Sequence, residues 1–118
     1  MKPNKWNIIS TENDVLEIIE KSVVTPQIIF KDSVTCGISA FAKERLVDGY
    51  GLIENEADFN YLDLLSNRAV SNFITTKLEV IHQSPQIIVL IDRKVIYKDS
   101  HHSIDAKKIA EKISTFIK

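Results

Sequence analysis

The chain has 118 residues, within the usual size of one domain, and 44% of them are hydrophobic, enough to supply a real core. With 15 basic and 16 acidic residues the net charge is −1, which excludes the basic footprint of a nucleic-acid binder or a polybasic membrane patch. The single cysteine cannot close an internal disulfide, so packing alone is expected to hold the fold, and an unpaired thiol suits a reducing cytosol.

Met1-Lys2-Pro3-Asn4-Lys5-Trp6 leads into mixed polar sequence without the apolar core of a signal peptide. No apolar run nears the ~20 residues that span a bilayer. Ser10 and Thr11 precede a helical pattern with Glu12 and Asp14 in its first turn. Val15, Leu16, Ile18, Ile19 and Val23 then repeat at helix spacing, and Thr25-Pro26 ends the run. Gln27-Ile28-Ile29-Phe30-Lys31 reads as an interior strand covered on both faces. Asp32 to Thr35 is expected to be a loop, and Cys36 to open the next helix. That helix carries Ile38, Phe41, Ala42 and Leu46 as its apolar stripe, and Asp48-Gly49-Tyr50-Gly51 is expected to close it, since glycine accepts the left-handed conformation of a C-terminal cap. Trp6 is expected to pack near the first strand or the sheet edge.

Phe59 to Leu64 alternates as a strand, and a helix from about Asn67 to Leu78 buries Val70, Phe73, Ile74 and Leu78. Ser84-Pro85-Gln86 breaks the chain before Ile87-Ile88-Val89-Leu90-Ile91, the strongest strand signal. Asp92-Arg93-Lys94 turns that strand into Val95-Ile96-Tyr97-Lys98 as a hairpin. Ser103 is expected to cap a last helix that buries Ile109, Ala110, Ile113, Phe116 and Ile117. The order α-β-α-β-α-β-β-α implies an α/β fold over residues 1–118: a central mixed four-stranded sheet with helices on both faces, in one domain.

The chemistry centres on Val34-Thr35-Cys36-Gly37-Ile38-Ser39. A thiol attacks only as thiolate, and free cysteine is mostly protonated at neutral pH, with a pKa of ~8.5. A helix N-terminus offers unpaired N–H groups and partial positive charge, and both favour the thiolate. Gly37 leaves the sulfur open to a bulky partner. Ser39, three residues on and so on the same helix face, can donate a hydrogen bond to the thiolate but cannot attack a disulfide. A lone cysteine is more often a small buried hydrophobe, but the strand-loop-cysteine-helix position argues for reactivity. Ser84-Pro85, directly before the strongest strand, adds to it: a cis bond there would set a bend and an exposed backbone edge beside the cysteine loop.

Cys-X-X-Ser at a helix start, Ser-Pro before a hairpin and a terminal helix resemble the thioredoxin fold. More narrowly, Thr35-Cys36-Gly37-Ile38-Ser39-Ala40, Arg68-Ala69-Val70-Ser71-Asn72 and His82-Gln83-Ser84-Pro85-Gln86 resemble the monothiol bacilliredoxins, over nearly the whole chain. Gly37 stands where that family often has proline, which gives a motif similar to the Cys-Gly-Phe-Ser of monothiol glutaredoxins. The resemblance implies that Cys36 is the nucleophile and Ser39 its neighbour in catalysis. Thr35, Gly37, Ser84, Pro85 and Gln86 would bind substrate, Pro85 being the cis-proline and Ser84 pairing through its backbone. The implied reaction removes bacillithiol from protein mixed disulfides. Bacillithiol is then a co-substrate, no cofactor is bound, and the partners are bacillithiolated proteins.

With no second cysteine to resolve the intermediate, another low-molecular-weight thiol must do so. An iron–sulfur carrier, in which two chains each supply Cys36, and a non-catalytic binding module on the same fold are the alternatives. His101-His102 reads as a solvated loop rather than a metal site, which usually needs three or four protein ligands, and His82 as a surface residue before the strand, a place near the thiol pocket beside Ser84-Pro85 being the alternative. A monomer is expected, because no continuous apolar face is left over.

Overall fold

Two strands that bury every residue form the centre of the protein: β2 (Gln27–Asp32) and β4 (Gln86–Ile91). The computed structural model describes residues 6–33 and 37–117, and of Ile38, Ser39 and His102 only the backbone. Around the central pair the chain runs β1 (Asn7–Ile8), α1 (Glu12–Lys21), β2, α2 (Gly37–Asp48), β3 (Asp58–Asp63), α3 (Arg68–Leu78), β4, β5 (Lys94–Ser100) and α4 (Ala106–Ile117). Short 3-10 turns at Tyr50–Leu52 and His101–Ser103 follow α2 and β5.

The sheet order is β1-β3-β2-β4-β5. β3 runs parallel to both β1 and β2, and β4 runs antiparallel to β2 and β5. The sheet therefore has five strands rather than the expected four. The additional strand is two residues long, too short to show any periodicity in the sequence. It is fixed by pairing Asn7 with Asn60 and Ile8 with Tyr61.

Strand side chains alternate between faces, and each face has its own core. On the α2/α4 side Ile28, Phe30, Phe59, Tyr61, Ile87 and Val89 pack with Leu46, Ile109 and Ile113. Trp6 belongs to this face, stacked on Phe59 with ring centroids 4.3 Å apart. On the α1/α3 side Ile29, Leu62, Ile88 and Leu90 pack with Val15, Ile18, Val70 and Ile74.

Several local expectations change for physical reasons. Thr11 caps α1 in a reciprocal box with Asp14, but the helix ends at Lys21, four residues before Thr25-Pro26. Ser22 stops it there: it is buried, its carbonyl accepts from Asp92 N–H and its Oγ from Arg93 N–H, which ties the helix end to the β4–β5 turn. Val23 is consequently exposed, and Leu16, inside the helix but off the face that buries Val15, Ile18 and Ile19, is exposed as well. That turn holds Asp92 and Arg93 at φ 53° and 67°, the two-residue hairpin geometry that matches strand twist.

Asp32 is the last residue of β2, not part of a loop. Phe41 on α2 and Phe116 and Ile117 on α4 face solvent, and Phe73 and Leu78 are only partly buried. Gly49 is not left-handed, having φ −96°. It is needed for closeness instead, since a Cβ there would lie 2.6 Å from the Ala106 Cβ. The α4 cap falls on Asp105, whose Oδ1 accepts from Lys107 N–H at 3.1 Å, because Ser103 is taken up in the preceding 3-10 turn.

Candidate thiol-exchange site

Strand register brings the parts of the site to one end of the sheet. Lys31 pairs across to Gln86, so Pro85 abuts the end of β2, and Asp32 pairs with Asp63 on the other side. The Ser84–Pro85 peptide bond is cis. The Pro85 carbonyl accepts from His101 N–H at 3.1 Å, with His101 at φ 55°, so the turn after β5 is fastened to the proline. Beyond β2 the chain enters α2, whose first residue, Gly37, directly follows Cys36 in sequence and is exposed. Val34, Thr35 and Cys36 themselves lie outside the described residues, as does the Ser39 side chain. Gln86 is buried, with its Nε2 donating to Ile81 O at 3.0 Å and its Oε1 without a partner among the described residues. Ser84 Oγ is likewise buried with no partner among them.

Two charged clusters that the sequence reading passed over flank this end of β2. On the α2 face the Tyr61 hydroxyl donates to Asp32 Oδ2 at 2.5 Å, and Lys43 Nζ of α2 lies 3.7 Å from the same oxygen. Lys43 also sits 4.9 Å above the Tyr61 ring centre, in cation–π range. Burial, with Asp32 as hydrogen-bond partner and nearby charge, raises the Tyr61 hydroxyl well above the ordinary phenol range. Asp32 is 1% exposed and its Oδ1 has no partner among the described residues, an unusual state for a buried carboxylate.

On the α3 face Lys31 is wholly buried, and desolvation pulls its ammonium down to about 8. Its Nζ lies 3.2 Å from Ser71 O, 3.2 Å from Thr75 Oγ1 and 3.4 Å from His82 Nδ1. The only signal in the sequence is a Lys-Asp pair at the end of an otherwise apolar strand, and charged side chains are normally solvated, so the pair does not by itself mark a buried cluster.

Among the described residues, no group of three or more His, Cys, Asp and Glu side chains is placed to hold a metal ion, and no helix is long and apolar enough to cross a membrane. The family model for the monothiol bacilliredoxin BrxC matches residues 7–109. The chain belongs to the monothiol bacilliredoxins. A solved protein described as a candidate oxidoreductase with a thioredoxin fold is 26% identical, covering 92% of this chain and 93% of its own, with a TM-score of 0.79. Thioredoxin from Fasciola hepatica (17% identity, 92% and 97% covered, TM-score 0.69) and thioredoxin from Trypanosoma brucei brucei (14% identity, 99% and 96%, TM-score 0.73) share the fold. This bacilliredoxin is thus a thioredoxin-fold protein, and its family and fold support thiol–disulfide oxidoreductase chemistry.

Proposed function

We propose that this bacilliredoxin reduces mixed disulfides between proteins and bacillithiol, with Cys36 as the nucleophile. The observation that carries the proposal is positional: the only cysteine directly precedes α2, at a strand–helix junction whose strand end abuts the cis Ser84–Pro85 bond. The Cys36 thiolate attacks the bacillithiol sulfur, a new S–S bond forms, and the protein–bacillithiol bond breaks. The protein thiolate leaves with the electron pair and takes a proton from water. A second low-molecular-weight thiol then attacks the bacillithiol sulfur of the Cys36 mixed disulfide as its thiolate: the new S–S bond joins the two small thiols, which depart as their disulfide, and Cys36 leaves as the thiolate.

In this scheme the unpaired N–H groups at the start of α2 favour the thiolate, and the Ser39 hydroxyl donates to it. Thr35 and Gly37 leave room for the incoming disulfide, and Ser84 pairs with the substrate backbone beside Pro85. Gln86, whose amide is turned to Ile81, serves by holding the segment that leads into that proline.

The test is mass spectrometry and thiol release with a bacillithiolated protein, with glutathionylated protein in parallel. Release that depends on Cys36, with a bacillithiol adduct on the enzyme, is the expected result. Equal release by Cys36→Ser refutes the assignment, and preference for glutathione replaces bacillithiol as the partner thiol.

A further inference from the structure

Lys31 is the one fully buried lysine among the described residues, and its three neighbours include no carboxylate. An ammonium can only donate, so His82 Nδ1 must present its lone pair, leaving the ring neutral with its proton on Nε2. The buried cation therefore joins two different elements: the middle of α3, through Ser71 and Thr75, and the segment 80–85 that leads into the cis bond.

That segment is in neither helix nor strand. It is held by a few individual bonds: Val80 N–H to Thr75 O at 3.2 Å, Gln86 Nε2 to Ile81 O at 3.0 Å, Lys31 to His82, and His101 N–H to Pro85 O at 3.1 Å. Of these four, only the bond to His82 has an acceptor that titrates near neutrality.

We propose that the Lys31–His82 contact is a strut that positions the Ser84–Pro85 segment, and that protonation of His82 releases it, so that the enzyme loses grip on its disulfide substrate as pH falls. The proposal rests on the reading above that substrate pairs at Ser84 and Pro85. The proton comes from solvent and binds Nδ1. The Nζ–H···Nδ1 bond breaks, and Lys31 keeps its own proton.

The groups acting on the ring are consistent with this direction. Partial desolvation of this surface-exposed ring, Lys31 from β2 and Arg68 from α3 all hold the imidazole below its ordinary range. The strut therefore stays formed at neutral pH and opens only on acidification. Lys31 and His82 are positioning residues here, acting through the segment rather than on the substrate.

The first readout needs no activity. Amide hydrogen exchange of residues 81–84, corrected for the intrinsic pH dependence of exchange, is followed from pH 7.5 to 5 alongside the His82 ring titration by NMR. In the wild type the opening of this segment should rise roughly three- to tenfold on acidification, as expected for the loss of one hydrogen bond. His82→Gln keeps an acceptor without a titrating ring and should hold the segment at all pH values. Lys31→Met should leave it open at all of them. Identical profiles for wild type and His82→Gln overturn the strut.

The second readout is KM against kcat for a bacillithiolated protein. The expected result is a KM that rises with acid in the wild type, with little change in kcat, and stays flat in His82→Gln. A segment that opens while KM stays constant overturns the link to substrate but leaves the strut. Cys36-dependent turnover with a segment that never responds does the reverse.

Discussion

Replacing Lys31 by methionine tests whether a functional requirement keeps a costly charge inside the protein. The side chain is 0% exposed, and its ammonium is lowered from 10.5 to about 8 by desolvation. At pH 7 it is charged in both folded and unfolded chains, and the shift corresponds to roughly 3 kcal/mol against the folded state. Methionine fills a similar volume without that penalty, although Thr75 Oγ1 and the spare lone pair of Ser71 O lose a donor. Lys31→Met is therefore expected to be more stable than wild type at pH 7, by about 1–3 kcal/mol.

The pH dependence gives a second test. Because the folded-state pKa lies below the unfolded one, the folded wild type binds fewer protons between about 8 and 10.5, so its stability climbs as pH rises through that window. With those two values the wild type should recover on the order of 1 kcal/mol between pH 7 and pH 9, and the variant none of it. Urea unfolding followed by far-UV circular dichroism at the two pH values measures both quantities. A variant less stable at pH 7, or a gap that is the same at pH 9, refutes the reasoning. The same variant should have the loosened segment at Ser84–Pro85, so gained stability and lost substrate grip are expected together.

Gly49→Ala should lower stability by about 1–3 kcal/mol in thermal or urea unfolding, because its Cβ would lie 2.6 Å from that of Ala106 and force α2 and α4 apart. An unchanged midpoint would show that the helices yield freely. Tyr61→Phe leaves buried Asp32 without its short hydrogen bond and should cost about 1–3 kcal/mol, measured in the same way. It should cost little if Lys43 alone satisfies the carboxylate. Thr11→Ala removes the α1 cap and should cost about 1 kcal/mol, with early fraying visible as faster amide exchange at the start of α1.

What the sequence revealed follows the strength of its periodic signals. β2 and β4 stood out because strands covered on both faces must be apolar throughout, and both are buried along their whole length. β1 escaped because two residues carry no pattern, and its place depends on partners some fifty residues away. Leu16 and Val23 fit helix spacing but not burial, since the register of α1 on the sheet and the stop at Ser22 are tertiary facts. The glycines of Asp48-Gly49-Tyr50-Gly51 suggest a left-handed helix end that neither adopts, and the contact that makes Gly49 necessary, with Ala106 fifty-seven positions on, is invisible to local turn rules. At the site, the Ser84-Pro85 dipeptide was readable because proline before a strong strand demands an explanation. Lys31 and Asp32 were not, because a charge is read as solvated unless the sheet is known to cover it.

The packing of Trp6 carries a practical consequence. It is the only tryptophan of the chain, 5% exposed, stacked on Phe59 and 5.6 Å from the ring of Tyr61. Tyr61 in turn holds Asp32 at the end of β2. One intrinsic fluorophore thus reports on the larger aromatic core and stands two side chains from the strand end that leads to Cys36. Its emission can be followed during thiol exchange without attaching a dye, which in this protein would otherwise compete for the lone cysteine.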